Sequence, residues 1–120
     1  AFDQLGTDEL VVKPRVSGGA WLTQRLRRGE RLEGAPDGPA LIQPFIPSIE
    51  TDGEFSLLFF GGRLSHVVNK RPAAGDFRIQ VQFGGQYQGL PQPPEGALEL
   101  AERVLAAIDE PLLYARIDMA

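Results

Sequence analysis

Basic side chains beside loops of small residues are the first candidates for chemistry in this sequence. Lys13 ends a β-branched run and is followed by Pro14 and the loop Ser17-Gly18-Gly19-Ala20. A lysine ammonium is a compact cation suited to phosphate oxygens, and the N–H groups of such a loop can surround an anion. A surface lysine beside an ordinary turn explains the same residues, because the loop lacks the glycine spacing of P-loop and dinucleotide-binding motifs.

A second basic group lies around a Pro/Ala/Gly segment in the middle of the chain. Lys70 and Arg71 precede this segment and Arg78 follows it. A guanidinium at Arg78 would suit carboxylate or phosphate oxygens, although a solvated sheet edge explains it equally well. Strict alternation turns Lys70 toward the Phe-rich face of its strand. Either a β-bulge redirects this side chain, or its stem passes the end of the sheet.

Three other features have both a functional and a structural interpretation. In Gln43-Pro44-Phe45-Ile46-Pro47 the prolines lack N–H groups, so free carbonyls could bind an adenine amino group while Ile46 N–H serves the ring; an irregular linker is the alternative. Asp118 shares a strand face with Tyr114 and Arg116 and is either a strand-end carboxylate or a metal ligand. His66 is interpreted as a packed core histidine.

A β-hairpin is the clearest element that must position these residues. Glu54–Phe60 and Arg63–Lys70 are strand-like runs joined by Gly61-Gly62, a loop suited to the positive φ of primed turns. This turn predicts that Phe60 faces Arg63, Leu58 faces Ser65 and Ser56 faces Val67. Alternation then predicts a core face, made of Phe55, Leu57, Phe59, Leu64, His66 and Val68.

The other periodic segments predict the remaining architecture. Strands are predicted at residues 9–13, 40–43, 77–83 and 112–119, a loop at 86–94 and a helix at 95–109, while residues 21–28 fit either strand or helix. The helix has an apolar stripe formed by Ala97, Ala101, Val104, Leu105 and Ile108. The order of elements predicts an α+β fold, an antiparallel β-sheet with one main helix packed on one face.

Composition excludes several classes of protein. The net charge of −4 and the scattered basic residues argue against nucleic-acid binding. Cysteine is absent, which excludes a disulfide framework and a thiolate metal site. No apolar run approaches the roughly 18 residues that span a bilayer, and the first residues lack the features of a signal peptide. We therefore expect a cytoplasmic protein that does not bind membranes.

The candidate segments, taken in order along the chain, resemble the ATP-grasp superfamily and within it the glutathione-synthetase-like branch. The resemblance runs from about Glu9 to the last residue and predicts that residues 1–120 are a partial ATP-grasp domain, from its C-terminal portion. The motifs that carry it are Val11-Val12-Lys13-Pro14, Gln43-Pro44-Phe45-Ile46-Pro47, Gly53-Glu54-Phe55-Ser56, Lys70-Arg71-Pro72, Phe77-Arg78-Ile79-Gln80, Gly84-Gly85 and Tyr114-Ala115-Arg116-Ile117-Asp118.

The resemblance implies roles for the matching positions. Lys13 and the loop Ser17–Ala20 would hold ATP phosphates, the main chain of Gln43–Ile46 would bind adenine, and Glu54 would lie near the nucleotide. Lys70 and Arg78 would steady the γ-phosphate and an acyl-phosphate intermediate, and Asp118 would be a Mg2+ ligand. Gln80 stands where members often carry Asn. Ser56 stands where glutathione synthetase has a basic residue, so substrate specificity is not carried over.

The implied reaction is ATP-dependent joining of a small carboxylate to an amine nucleophile. The resemblance also implies further metal ligands after Asp118, so we expect the natural chain to continue and these 120 residues alone to be inactive. We expect exposed sheet edges near Leu41 and Ile42 to favour self-association. Two alternatives are a non-enzymatic β-sheet module that binds a peptide or partner, and a degenerate ATP-grasp domain kept for regulation.

Overall fold

The computed structural model describes residues 1–34 and 36–120, which form two compact units. The units are Ala1–Pro47 and Ser48–Ala120, and each contains an antiparallel sheet. The α+β class and the antiparallel pairing are confirmed, but the strands divide between two sheets. No helix in these two ranges is long and apolar enough to cross a membrane.

The N-terminal unit is a three-stranded sheet of order β2-β1-β3. Its central strand β1 carries the buried residues Leu10, Val11 and Val12, whose β-branched and aliphatic side chains suit a strand covered by neighbours. Within the ambiguous stretch at 21–28, Gln24–Arg27 forms a strand. The elements of this unit are α1 (Phe2–Leu5), β1 (Glu9–Pro14), β2 (Gln24–Arg27) and β3 (Ala40–Pro44).

The C-terminal unit is a four-stranded sheet of order β6-β5-β4-β7 with one main helix on one face. Its elements are α2 (Ser48–Thr51), β4 (Glu54–Phe60), β5 (Arg63–Arg71), a 3-10 turn (Val81–Phe83), β6 (Gln86–Leu90), α3 (Ala97–Ala106) and β7 (Tyr114–Met119). The predicted helix is present with shorter bounds. Its fully buried Ala101 packs among Leu57, Phe59 and Val67. Two residues of the predicted stripe, Val104 and Ile108, are instead exposed.

The hairpin register departs from the prediction because β5 contains a β-bulge. Phe60 does face Arg63, but Leu58 faces His66 and Ser56 faces Val68, so the other two predicted pairs are wrong. Ser65 is the extra residue. Beyond it every β5 side chain changes face, so Val67 is buried in the core and His66 is exposed. The interpretation of His66 as a core residue is therefore wrong.

The predicted strand at 77–83 is absent, and the predicted loop at 86–94 is wrong in part because it contains β6. The carboxylate of Asp76 accepts hydrogen bonds from the N–H groups of Phe77 and Arg78, at 2.8 and 2.9 Å. Such local bonds compete with a strand ladder, and a 3-10 turn follows at Val81–Phe83. The ladder position beside β5 is taken by β6, at Gln86–Leu90.

Candidate functional site

Strand pairing gathers charged side chains on the sheet face that points away from α3. Glu54 lies opposite Lys70, and Ser56 lies opposite Asp118. The alternate residues of β4, Leu57 and Phe59, fill the core beneath the helix. We call the group Glu54, Ser56, Lys70, Arg116 and Asp118 the charged cluster. Three of its members, Glu54, Lys70 and Asp118, were predicted as site residues, and the bulge at Ser65 is what brings Lys70 to them.

Lys70 is the centre of the charged cluster. Its Nζ lies 2.8 Å from Glu54 Oε1 and 3.6 Å from Asp118 Oδ1. The Lys70 side chain is only 11% exposed, and its ammonium also lies 5.9 Å from the centroid of the Tyr87 ring on β6. A cation this well shielded from water interacts more strongly with an approaching anion than a surface lysine does.

Asp118 is held at both carboxylate oxygens. Ser56, which is 1% exposed, donates its hydroxyl to Oδ1. Arg116 donates to Oδ2 from Nε at 3.0 Å and from Nη2 at 2.8 Å. Burial alone would raise the pKa of Asp118, but the hydrogen bonds from Ser56 and Arg116 and the charge of Lys70 together hold the pKa below its ordinary value. Asp118 is therefore ionised at neutral pH.

The carboxylate oxygens of the charged cluster test whether the predicted Mg2+ site is present. A carboxylate oxygen is a ligand type that Mg2+ prefers. Within residues 1–34 and 36–120, however, no group of three or more His, Asp or Glu side chains is placed to hold a metal ion. Both oxygens of Asp118 already accept hydrogen bonds. The described residues therefore do not make a magnesium site by themselves.

Arg78 has a carboxylate partner two residues away that the sequence analysis did not identify. Its Nη2 lies 2.7 Å from Asp76 Oδ2, and its guanidinium lies 3.8 Å from the centroid of the Phe83 ring. The hydrogen bonds from the Arg78 side chain and from two backbone N–H groups lower the pKa of Asp76 to about 2. The charge of Arg78 is thus balanced within its own loop. The Asp-x-Arg spacing is the signal that could have predicted this pair.

The predicted phosphate-binding residues lie in the N-terminal unit. Lys13 is half-buried on β1, opposite Leu41 of β3. In the loop after it, Ser17, Gly18 and Gly19 are exposed, and Gly19 and Ala20 have φ values of 63° and 58°. A non-glycine residue in this left-handed region carries backbone strain. The loop therefore presents exposed backbone in a strained conformation just beyond the strand that carries Lys13.

The predicted adenine-binding segment is the end of β3. Gln43 and Pro44 face Val11 and Leu10 of β1. The N–H of Phe45 donates to the carbonyl of Glu9 at 3.0 Å, and the buried Phe45 ring is covered by the Arg25 guanidinium at 3.6 Å from its centroid. Ile46 is exposed. The segment is thus anchored at Phe45, with its apolar neighbour Ile46 open to solvent.

Ser56 and Arg116 are the members of the charged cluster that were not predicted as site residues. Arg116 was placed on the same face as Asp118, and the structure confirms this. Ser56 was not among the residues of the predicted core face. Its signal in the sequence is a small hydroxyl within the otherwise apolar run from Phe55 to Phe60.

No protein-family model matches this chain. The chain is similar to glutathione synthetase of Prochlorococcus marinus (strain MIT 9313), with 32% identity over 98 residues that cover 73% of this chain and 30% of that protein. Its structure is similar to a crystal structure of D-cycloserine synthetase DcsG, with a TM-score of 0.63 and 25% identity, covering 94% of this chain and 43% of that one. The chain therefore spans less than half the length of either relative.

Proposed function

We propose that the full-length parent of this chain, which belongs to the ATP-grasp superfamily in its glutathione-synthetase-like branch, is an ATP-dependent carboxylate–amine ligase. We assign residues 1–120 to the C-terminal portion of the ATP-grasp domain. The observation that carries the proposal is the convergence of Glu54, Lys70 and Asp118 on one sheet face, in a chain similar in sequence to a glutathione synthetase.

The proposed reaction has two steps. An oxygen of the substrate carboxylate forms a bond to the γ-phosphorus of ATP, and ADP leaves. The amine nitrogen then forms a bond to the acyl carbon, inorganic phosphate leaves and the nitrogen loses a proton. The first step brings two anions together, and in the second step negative charge develops on the acyl oxygen and the leaving phosphate, so positioned cations stabilise both transition states. We assign this role to Lys70, whose ammonium is shielded from water and held in place by Glu54, and to Arg78.

We assign ATP binding to the residues of the N-terminal unit and to Glu54. The half-buried ammonium of Lys13 and the exposed Ser17–Ala20 loop suit phosphate oxygens. The Gln43–Ile46 segment suits adenine, because Phe45 is anchored by Glu9 while Ile46 lies open to contact with a ring.

For the parent we also propose Mg2+, with Asp118 as one of its ligands. A bound Mg2+ would neutralise phosphate charge. Because a single carboxylate holds Mg2+ poorly, we expect residues 1–120 alone to bind the metal weakly and to lack ligase turnover.

Self-association of the isolated chain is proposed from the edge strand β3. Its Leu41 and Ile42 are both nearly half exposed, and an apolar edge strand offers unpaired backbone groups to a second chain. Light scattering should report a mass above 13.1 kDa at high concentration. A monomer under all conditions would contradict this expectation.

The ligase proposal is tested by phosphate release from the full-length protein. Purified protein is incubated with ATP, Mg2+ and a panel of small carboxylates, each with and without an amine. We expect phosphate release that requires a carboxylate, and a loss of roughly 100-fold or more in Lys70→Met. Arg63→Met is the matched control, because Arg63 lies on the same strand but is exposed. The absence of release with every pair, or equal rates in Lys70→Met and the control, would reject the proposal.

Nucleotide binding is tested separately through Trp21, the one tryptophan of the sequence. Trp21 is 63% exposed beside the Ser17–Ala20 loop, so closing of this loop over phosphates should shift its emission. The Trp21→Phe variant shows how much of the emission change comes from Trp21. We expect the shift with ATP in the wild type and a loss of the shift in Lys13→Met. A β-sheet module that binds only peptides would show no response to ATP.

A further inference from the structure

Ser56 places a hydroxyl in a position where water cannot reach it. The residue is 1% exposed and lies on β4 directly opposite Asp118 of β7. Its hydroxyl donates to Oδ1 of Asp118. A serine side chain has one rotatable bond to its oxygen, so a buried serine holds an acceptor with little loss of entropy. Asp118 Oδ1 is therefore held by a short side chain of β4.

The oxygen that Ser56 holds is the same oxygen that faces Lys70. Asp118 Oδ1 lies 3.6 Å from Lys70 Nζ, which is beyond hydrogen-bond distance, whereas Glu54 Oε1 lies at 2.8 Å. Asp118 thus forms an ion pair with the ammonium but no hydrogen bond to it. A lysine ammonium has three donors, and a donor that Asp118 does not occupy can serve an approaching anion.

We propose that Ser56 is a positioning residue that holds Asp118 away from Lys70 and so leaves the ammonium available to an anion. Without the hydroxyl, Lys70 Nζ at 3.6 Å is a donor that Oδ1 can reach by a small rotation of the carboxylate. The carboxylate then rotates onto Nζ, and Lys70 is held between two carboxylates. The effect on turnover rests on the proposed ligase function. The contact between Asp118 and Lys70 does not, so the two are tested by different measurements.

The matched variants are Ser56→Thr and Ser56→Val in the full-length protein. Threonine and valine have nearly the same shape and differ by the hydroxyl, so both face the same packing constraint. Ser65→Ala is the control, because Ser65 is an exposed serine of the same hairpin. We expect Ser56→Val to lower kcat for phosphate release about 10-fold with a smaller change in KM for ATP. We expect Ser56→Thr to stay near the wild type.

The second measurement does not need turnover. Residues 1–120 contain two lysines, Lys13 and Lys70, so their acetylation by acetic anhydride, which transfers an acetyl group to Nζ and releases acetate, can be followed by mass spectrometry with Lys13 as the internal reference. A lysine bonded to two carboxylates presents its nitrogen lone pair less often than one bonded to a single carboxylate. We expect Lys70 to react several-fold more slowly in Ser56→Val than in Ser56→Thr, relative to Lys13.

The outcomes separate the two proposals. Equal acetylation of Lys70 in the Thr and Val variants, or faster acetylation in Val, would overturn the positioning role of Ser56, whatever the kinetics. Slower acetylation in Val supports it, even if the wild type releases no phosphate. If acetylation is slower in Ser56→Val and the wild type releases no phosphate, the ligase proposal fails while the proposed contact of Ser56 with Asp118 holds. Slower acetylation with an unchanged kcat would reject the role of Ser56 in turnover.

Discussion

Glu54 and Lys70 face each other across the β4–β5 hairpin, although strict alternation from the Gly61-Gly62 turn would put them on opposite faces of the sheet. The bulge at Ser65 makes the difference, because one extra residue moves all later side chains of β5 to the other face. The position of Lys70 thus depends on a serine five residues earlier.

Deletion of Ser65 should be tolerated. The deletion removes the extra residue and leaves a regular hairpin in which Leu58 still faces His66 and Glu54 still faces Lys70. We expect the free energy of unfolding to change by less than about 1 kcal/mol. Deletion of Val68 is the contrasting variant, because it moves either Lys70 or His66 into the core and should cost more than about 3 kcal/mol. Urea unfolding of both variants measures the difference, and equal losses would refute the role of the bulge.

The ion pair between Glu54 and Lys70 should contribute to stability. Both side chains are mostly buried, and Nζ lies 2.8 Å from Oε1. Glu54→Gln removes the charge that balances a poorly hydrated ammonium, so we expect a loss of about 1–3 kcal/mol in the free energy of unfolding. In a double-mutant cycle with Lys70→Met, the two losses should not add. Additive losses would show that the two residues are not coupled.

Asp76 should make stability depend on pH in the acidic range. Its pKa is lowered from 3.8 to about 2 in the folded protein. A depressed folded pKa stabilises the fold at pH values above the unfolded pKa, and this stabilisation is lost as pH falls through the folded value. We expect about 1–2 kcal/mol, present above about pH 4 and lost by about pH 2, allowing for screening of Arg78, whose side chain is 35% exposed.

Comparison with Asp76→Asn isolates this contribution from that of the other carboxylates. The difference in unfolding free energy between the wild type and this variant should shrink between pH 4 and pH 2. Arg78→Met should reduce the same difference at neutral pH, because Arg78 is the main cause of the depressed pKa. A difference that stays constant with pH would contradict the assignment.

Alternation of side chains predicted the parts of the fold where burial dominates. Leu57 and Phe59 were predicted on the core face and the helix containing Ala101 on one face of the sheet, because apolar periodicity reports a buried face directly; the structure packs Ala101 against both residues. The bulge at Ser65 gives no such signal, since either register buries apolar side chains. The segment 77–83 has strand-like periodicity, yet Asp76 holds its first N–H groups. Local hydrogen bonding of this kind overrides the strand that the apolar periodicity predicts.

The charged cluster was predictable only where it depends on alternation within one strand. Asp118 and Arg116 share a face by simple alternation within one strand, and this was confirmed. The contact of Lys70 with Glu54 depends on the bulge, and the bond from Ser56 depends on the pairing of β4 with β7, which are distant in sequence. Strand neighbours of this kind follow from tertiary topology, which the periodicity of one segment does not contain.

Gly53 should be required for the entry into β4 and hence for the placement of Glu54. It has a φ of +85°, and a Cβ there would collide with the carbonyl oxygen of Lys70 and lie 2.9 Å from Cγ of Arg71. Gly75 has a φ of +82° with nothing within 4 Å of an added Cβ, so it is a control matched in backbone conformation.

Gly53→Ala should therefore lose stability through both backbone strain and collision of the new Cβ. Gly75→Ala should lose stability through backbone strain alone. We expect losses of about 3 kcal/mol or more for Gly53→Ala and about 1–2 kcal/mol for Gly75→Ala. The comparison by urea unfolding separates the two effects, because the φ angles differ little. Equal losses in the two variants would mean that the strand β5 backbone can move away from residue 53, and that the close approach does not fix the position of Glu54.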